Sequence, residues 1–276
     1  MTMFFRKTRK SLMNYKMRYS IQHSTFNIQH SAFSPSPRAP KKPLAMSSSS
    51  PVTCPGFYRH HLQGIATDGV DVFWCFTSVL VKTTLDGRLL NKIPVATHHG
   101  DLCWHDGKVY VAVNLGKFNQ EPGQAHNWIF VYDDTSFDFL EKYHVPEVVH
   151  GAGGMEWYDG VFQVIGGLPV GYQENYVYTY SPTFVFQERH VIPSGYTKLG
   201  IQTACHAHDR WWFGCYGDPD VTLQTDNNFN LLAIHKISTS VGIICLPDGS
   251  FRLGRSAKTP SGFTGAIQTA SLNDFQ

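Results

Sequence analysis

Three histidines and one glutamine carry the chemistry most open to interpretation in this sequence. His61, His99 and Gln202 each stand eight residues before the last residue of a recurring turn, and His150 stands ten before the equivalent residue. A Gly-rich insertion, Gly151-Ala152-Gly153-Gly154, follows His150 and can bulge to bring it level with the others. Three imidazoles and an amide oxygen gathered at one place form a competent site for a divalent ion (Mn, Zn or Ca), with a position left for water or substrate. The same four side chains can equally rim a wet channel and hydrogen-bond to ordered water. Both alternatives need these residues to converge, and their convergence depends on the elements that carry them.

Those elements repeat. A short apolar strand, a tight turn and a second apolar strand occur five times. Gln63 to Gly69 precedes Val72-Phe73-Trp74-Cys75-Phe76, Asp101 to Gly107 precedes Val109 to Val113, and Gly154 to Gly160 precedes Val161 to Ile165. Thr203 to Arg210 precedes Trp211-Trp212-Phe213, and Ile243 to Gly249 precedes Phe251-Arg252-Leu253. Asp-Gly between apolar runs is a strong hairpin signal. A third and a fourth strand follow in the first four copies, and the turns recur at intervals of 38, 53, 50 and 39 residues. Four antiparallel strands per unit at that period predict an all-β, five-bladed β-propeller.

The second strand of each unit is apolar at consecutive positions, as expected of a blade buried on both faces; a β-sandwich, the competing fold, would alternate more cleanly. The fifth unit ends before its fourth strand. Val52-Thr53-Cys54-Pro55 resembles the strand-four exits at Ile93-Pro94-Val95 and Val191-Ile192-Pro193, so the N-terminal strand is expected to complete the last blade and remove an open edge.

The propeller is assigned to residues 51–276 and a disordered basic extension to residues 1–50. The extension holds nine Lys or Arg and no Asp or Glu, which leaves 14 basic against 21 acidic residues in the remainder, a net charge of −7. An acidic folded part argues against nucleic-acid binding. Met3-Phe4-Phe5 before Arg6 is too short an apolar run for a signal peptide, and no stretch reads as a transmembrane span. Translation from Met46 and an organellar transit peptide are two accounts of the extension. The six cysteines contain no Cys-x-x-Cys pair, and several sit among large apolar residues, so they are expected to be reduced, buried thiols. The expectation is a cytoplasmic monomer without membrane or nucleic-acid partners.

With these units the chain, from Pro51 to Gln276, resembles five-bladed propeller proteins, an architecture shared by arabinanase-type glycoside hydrolases, calcium-dependent apyrases and tachylectin. It is also similar to bacterial propellers of unassigned activity. None of the catalytic signatures of these families is present, so the resemblance implies no site residue. The proposed ligand set resembles the manganese site of oligogalacturonate lyases in ligand type alone.

In a propeller the first strand of each blade lines the channel, and the loops joining strands two and three rim the mouth where those first strands begin. Two of these loops are long, Asn114 through Asn127 and Gly166 through Asn175, and the fourth blade offers Tyr216 to Asp220. Such amides, carboxylates and aromatics suit a small-molecule or glycan ligand rich in hydroxyls. The substrate-binding candidates are Gln63, His98, Asn114, Lys117, Asn127, Gln173, Asn175 and Tyr216, with Asp101, Glu174 and Asp220 as candidate acids or bases of a hydrolase or lyase. A non-catalytic binding or scaffold propeller is the alternative. Glu156 lies deeper in its strand. Gly151 to Gly154 leads into a strand rather than a helix, which removes the dinucleotide-loop argument. His206-Ala207-His208 is expected to pack or meet solvent at the lower end, and no Gly-x-Ser-x-Gly elbow, Walker loop or zincin helix appears.

Overall fold

The alternation of burial along the strands reports how the sheets are stacked. In this computed structural model, which describes residues 51–275, the second strand of the first blade is buried at every position, whereas outermost strands alternate between half-buried and exposed. A sheet covered on both faces shows the first pattern, and an outer strand at the rim shows the second.

Strand β1 is Val52–Tyr58. Blade one follows as β2 (Gly64–Thr67), β3 (Asp71–Phe76), β4 (Val79–Thr84) and β5 (Leu89–Pro94). Blade two is β6 (His99–His105), β7 (Lys108–Asn114), β8 (Asn127–Asp133) and β9 (Phe139–His144). Blade three is β10 (Ala152–Tyr158), β11 (Val161–Gly166), β12 (Asn175–Tyr180) and β13 (Phe186–Ile192). Blade four is β14 (Lys198–Ala207), β15 (Arg210–Tyr216), β16 (Val221–Thr225) and β17 (Leu231–His235). Blade five is β18 (Ile243–Cys245), β19 (Phe251–Thr259) and β20 (Gly262–Ala270), and its outer edge is β1, paired antiparallel with β20 through Val52↔Ile267 and Cys54↔Gly265. The chain is therefore a five-bladed β-propeller, and its N-terminal strand closes the ring as the sequence led one to expect. The expected basic extension, residues 1–50, lies outside the described residues.

Five clusters of buried apolar side chains fill the five junctions between neighbouring blades. Phe73, Cys75 and Leu80 of blade one meet Val109, Val111 and Tyr132 of blade two, and Trp74 and Phe76 on the opposite face of blade one meet Ile244 and Ile267 of blade five. Trp211 and Trp212 divide in the same way, toward blade three and toward blade five. Burying such side chains contributes roughly 1.5–3 kcal/mol each, and the buried indoles find acceptors, Trp74 at Thr83 Oγ1 (3.0 Å) and Trp212 at the Ala207 carbonyl (3.0 Å). Five of the six thiols are buried in these walls, Cys245 is half-buried, and none forms a disulfide. Among the described residues no helix is long and apolar enough to cross a membrane.

The centre of the ring is closed rather than open. Asp101 of β6 is 1% exposed and fills the axis, accepting the Ala204 N–H from blade four at 3.3 Å. Gly64 of blade one and Gly154 of blade three face it. A Cβ on Gly64 would run into the Asp101 carboxyl and come within 2.6 Å of its Cα, and one on Gly154 would lie 2.7 Å from its Cβ. Bare backbone on both sides is what lets the inner strands approach this closely. Asp101 thus divides the axis into two cavities, one at the mouth and one at the lower end.

Candidate functional site

At the mouth a cavity of about 250 Å³ gathers residues from four blades. His61 and Gln63 come from the segment between β1 and β2, His98 and His99 from the entry to β6, Asn114 from the end of β7, Gln202 from β14 and Tyr216 from the end of β15. Seven residues singled out in the sequence therefore share one lining. Phe118 comes from the long loop expected to rim the mouth, and Thr77 and Leu199 join them without having been anticipated.

Irregular backbone aims several of these side chains. The pairing of β6 with β7 shifts between His99 and Leu102, that of β10 with β11 between Ala152 and Gly154, and that of β14 with β15 twice between Lys198 and Thr203. Each shift is a bulge at the mouth end of an inner strand, and bulges re-aim side chains. Three non-glycine residues of the lining also hold left-handed backbone, Thr77 (φ 37°), His98 (φ 68°) and Leu199 (φ 62°). For a β-branched or bulky side chain that conformation is unfavourable, and such residues cluster where function holds them.

One hydrogen-bonded chain runs through the lining. Gln63 Nε2 donates to Thr77 Oγ1 (2.9 Å) and lies 3.2 Å from His61 Nε2, which in turn lies 3.1 Å from the Tyr216 hydroxyl. With the amide donating, His61 Nε2 is an acceptor and the ring proton sits on Nδ1. Burial, aided by the neighbouring charge of His60, holds the His61 imidazole below its usual proton affinity, so it is neutral at neutral pH. Burial, together with the charge of Asp220, raises the Tyr216 phenol to about 12. Gln202 donates to the Leu199 carbonyl (2.6 Å), and Asn114 Oδ1 accepts from the backbone of Gly116 (3.0 Å) and His126 (2.9 Å), fixing the long loop of blade two. Asn114 Nδ2 is buried with no partner on the protein.

The four side chains proposed as metal ligands point to separate partners. His99 is 1% exposed and engages the Tyr132 hydroxyl at 2.8 Å, in the wall between blades one and two. Burial lowers its imidazole to about 4; the Ala96 and Thr97 carbonyls oppose that shift, yet neither meets Nδ1 in hydrogen-bond geometry. His150 does not line the cavity. The expected bulge forms just after it, but Nδ1 lies 2.8 Å from the Gln120 carbonyl and the ring packs on Tyr172 and Tyr176 beneath the blade-two loop. Among the described residues no group of three or more His, Cys, Asp and Glu side chains is arranged to hold a metal ion.

The other candidates fall elsewhere. Asp101 is the axial plug, its carboxyl pushed well above the usual range by burial against a weaker opposing pull from the Leu102, Ala204 and Ile65 amides. Glu174 is exposed and accepts from the Tyr176 hydroxyl (3.0 Å), and Lys117 and Gln173 are exposed on their loops, outside the lining. Asn127 ties down the Val148 carbonyl and the Ala152 amide, and Asn175 holds Ser194 and Thr197 at 2.8 and 2.9 Å, so both serve as latches between strands. Asp220 lies in an adjoining cavity between blades four and five.

The lower end, a cavity of about 170 Å³, is lined by Cys103, Cys205, Cys245 and Glu156 with Trp104, Trp157, Tyr158 and His206 around them. His206 stacks on Tyr158 (ring centroids 3.4 Å apart), the packing role expected for it. Glu156 accepts the Trp157 amide (2.8 Å), and burial raises its carboxyl to about 8.

No protein-family model matches the chain, and no curated protein matches it in sequence. Solved structures do. Part of a bifunctional GH43-CE protein from Bacteroides eggerthii superposes with a TM-score of 0.53 at 13% identity, covering 80% of this chain and 34% of that one. A protein of unknown function from Bacteroides caccae matches at TM-score 0.43 and 14% identity over 70% and 69% of the two chains, and BamB from Moraxella catarrhalis at 0.38 and 8% over 75% and 83%. The likeness is one of fold.

Proposed function

We propose that the protein binds a carbohydrate or other polyhydroxylated small molecule in the mouth cavity, with its rings and hydroxyls recognised by His61, Gln63, Asn114, Gln202, Tyr216 and Phe118. The observation that carries this is the concentration of Thr77, His98 and Leu199, all in left-handed backbone, around one cavity built from four blades, where polar side chains stand among a largely apolar lining. Amide and imidazole groups of both donor and acceptor character beside an aromatic face match what a sugar presents, hydroxyls on an apolar ring.

A catalytic role for the same site is favoured by one further feature. His61 is held neutral with its Nε2 directed at a phenol, so Tyr216 can pass its proton to Nε2 while its oxygen takes one from a bound hydroxyl, and the reverse transfer restores both. Calorimetric titration against a panel of mono- and oligosaccharides tests the binding. Replacing Gln63→Ala or Tyr216→Phe should weaken the best ligand at least tenfold, with a stability loss of about 1 kcal/mol for the lost hydroxyl contact. A panel without a single binder, or affinity indifferent to both substitutions, removes the proposal. Turnover that survives His61→Asn unchanged removes the catalytic part alone.

A further inference from the structure

A third cavity, of about 550 Å³, opens between blades four and five and shares His61, Leu199 and Tyr216 with the mouth. Its lining brings in two cations that the sequence analysis passed over. Arg255, on β19, is half-buried, and its bonds all go to neutral acceptors: Nε to Gln268 Oε1 (3.1 Å), Nη1 to the carbonyls of Ser238 (2.9 Å) and Gly254 (2.8 Å). Among the described residues Nη2 has no acceptor, and the ion pairs present involve neither Arg255 nor Lys198. Lys198, the first residue of β14, is exposed on the same lining.

The carboxylate of that lining is already engaged. Asp220 accepts from Ser238 Oγ and Ser240 Oγ, each at 2.7 Å, and from the Gly217 amide at 3.0 Å. A guanidinium taken partly out of water without a counter-charge is unfavourable unless something anionic meets it. Burial lowers the proton affinity of Arg255 and no neighbouring carboxylate offsets the effect. Residues 51–276 have a marked excess of acidic residues, which makes two unpaired cations in one cavity the more notable.

We propose that this cavity is the anionic subsite of the mouth, taking the carboxylate of a hydroxylated acid whose remainder lies against His61 and Tyr216. Arg255, fixed at Nε and Nη1, offers Nη2 as a pre-oriented donor, and Lys198 adds a mobile charge. With His61 neutral, two cations against Asp220 leave a net charge of +1 in the lining. That balance suits a singly charged carboxylate better than a phosphate ester, which carries about −1.5 to −2 at neutral pH.

The proposal rests on the binding role of the mouth, and the experiment separates the two. Glucose and galactose, their uronic acids, their 6-phosphates and short oligomers of the first two sets are titrated into the full chain and into R255Q, R255K, K198M and Q63A. Glycolate serves as a carboxylate without a ring. Uronic acids are expected to bind at least tenfold tighter than the neutral sugars, with the preference reduced to within twofold in R255Q, intermediate in R255K and at least threefold lower in K198M. Glycolate should raise the melting temperature of the wild type and leave that of R255Q unchanged.

Equal affinity for neutral and acidic forms, with binding still lost in Q63A, overturns the subsite and leaves the mouth as proposed. An acid preference that R255K or R255Q abolishes but Q63A does not touch upholds the subsite and overturns the mouth. Tighter binding of the phosphates overturns the carboxylate assignment, and failure of every probe, glycolate included, overturns both. K198M changes an exposed side chain, so the fold survives it even if R255Q does not fold.

Discussion

The two ends of the axis are built from equivalent positions of the same repeated strand, yet they differ in almost every physical respect. The mouth has bulged strand starts, three side chains in left-handed backbone and a hydrogen-bonded chain from Thr77 through Gln63 and His61 to Tyr216. The lower end has regular pairing into tight hairpins, thiols and stacked rings, Trp157 on His105 (3.7 Å) and Tyr158 on His206 (3.4 Å). The difference teaches that regularity serves the ring and irregularity serves the site. A repeat sets where strands go, and departures from it decide what the mouth presents.

The most damaging way to test that division is to strike the partition between the ends. Gly64→Ala places a methyl against the Asp101 carboxyl and Cα. A loss of about 3 kcal/mol is expected in urea denaturation, and a change below about 1 kcal/mol would mean that the partition is soft and the two ends are not independently held.

The ends should also respond to pH in opposite directions. His99, lowered to about 4 by burial, binds a proton more readily unfolded than folded, so its contribution to stability is full above pH 6.5 and is lost as pH falls toward 4. Glu156, raised to about 8 by burial, binds a proton more readily folded, so its contribution is full below about 4.5 and is lost as pH rises toward 8. Each limb is worth about 3 kcal/mol, the figure for Glu156 being reduced for its partial exposure. Stability profiles of His99→Gln and Glu156→Gln against wild type should each flatten one limb. If both variants flatten the same limb, the contrast between the ends is wrong.

The smallest effect sharpens the comparison most. His98→Gly relaxes an exposed residue in left-handed backbone, and a gain of about 0.5–1 kcal/mol in stability with weaker ligand binding is expected. A loss of stability would show that the conformation carries no strain.

The ring was legible because its signals are local. Asp106-Gly107 and Asp159-Gly160 adopt the paired left-handed geometry that the dipeptide favours, and β1 could be matched to the fourth strands by its Pro-containing exit. The fourth turn shows the limit of counting. Its left-handed pair is His208-Asp209, one residue earlier than an alignment on Arg210 implies, and Gln202 reaches the cavity through the bulges of β14 instead. His150 shows the same limit from the other side, since a bulge can be suspected from Gly151 to Gly154 but the direction it turns a neighbour cannot. Thr77 sits in a strand-two-to-three turn, the class of loop the sequence points to, and its shortness hid it. Arg255 lies two residues beyond Leu253, the last apolar residue of the run read in its strand, where only the partner it lacks gives it meaning.

Because β1 forms the outer edge of the last blade, it leaves the ribosome before the four other blades and stays without its neighbour until β20 has emerged. Blades one to four can pair internally as they are made, but the circle cannot lock before β20 is available to β1. Any ligand spanning the mouth and the cavity between blades four and five would bridge segments that meet only at that final stage, so occupancy should act as a clasp on the seam.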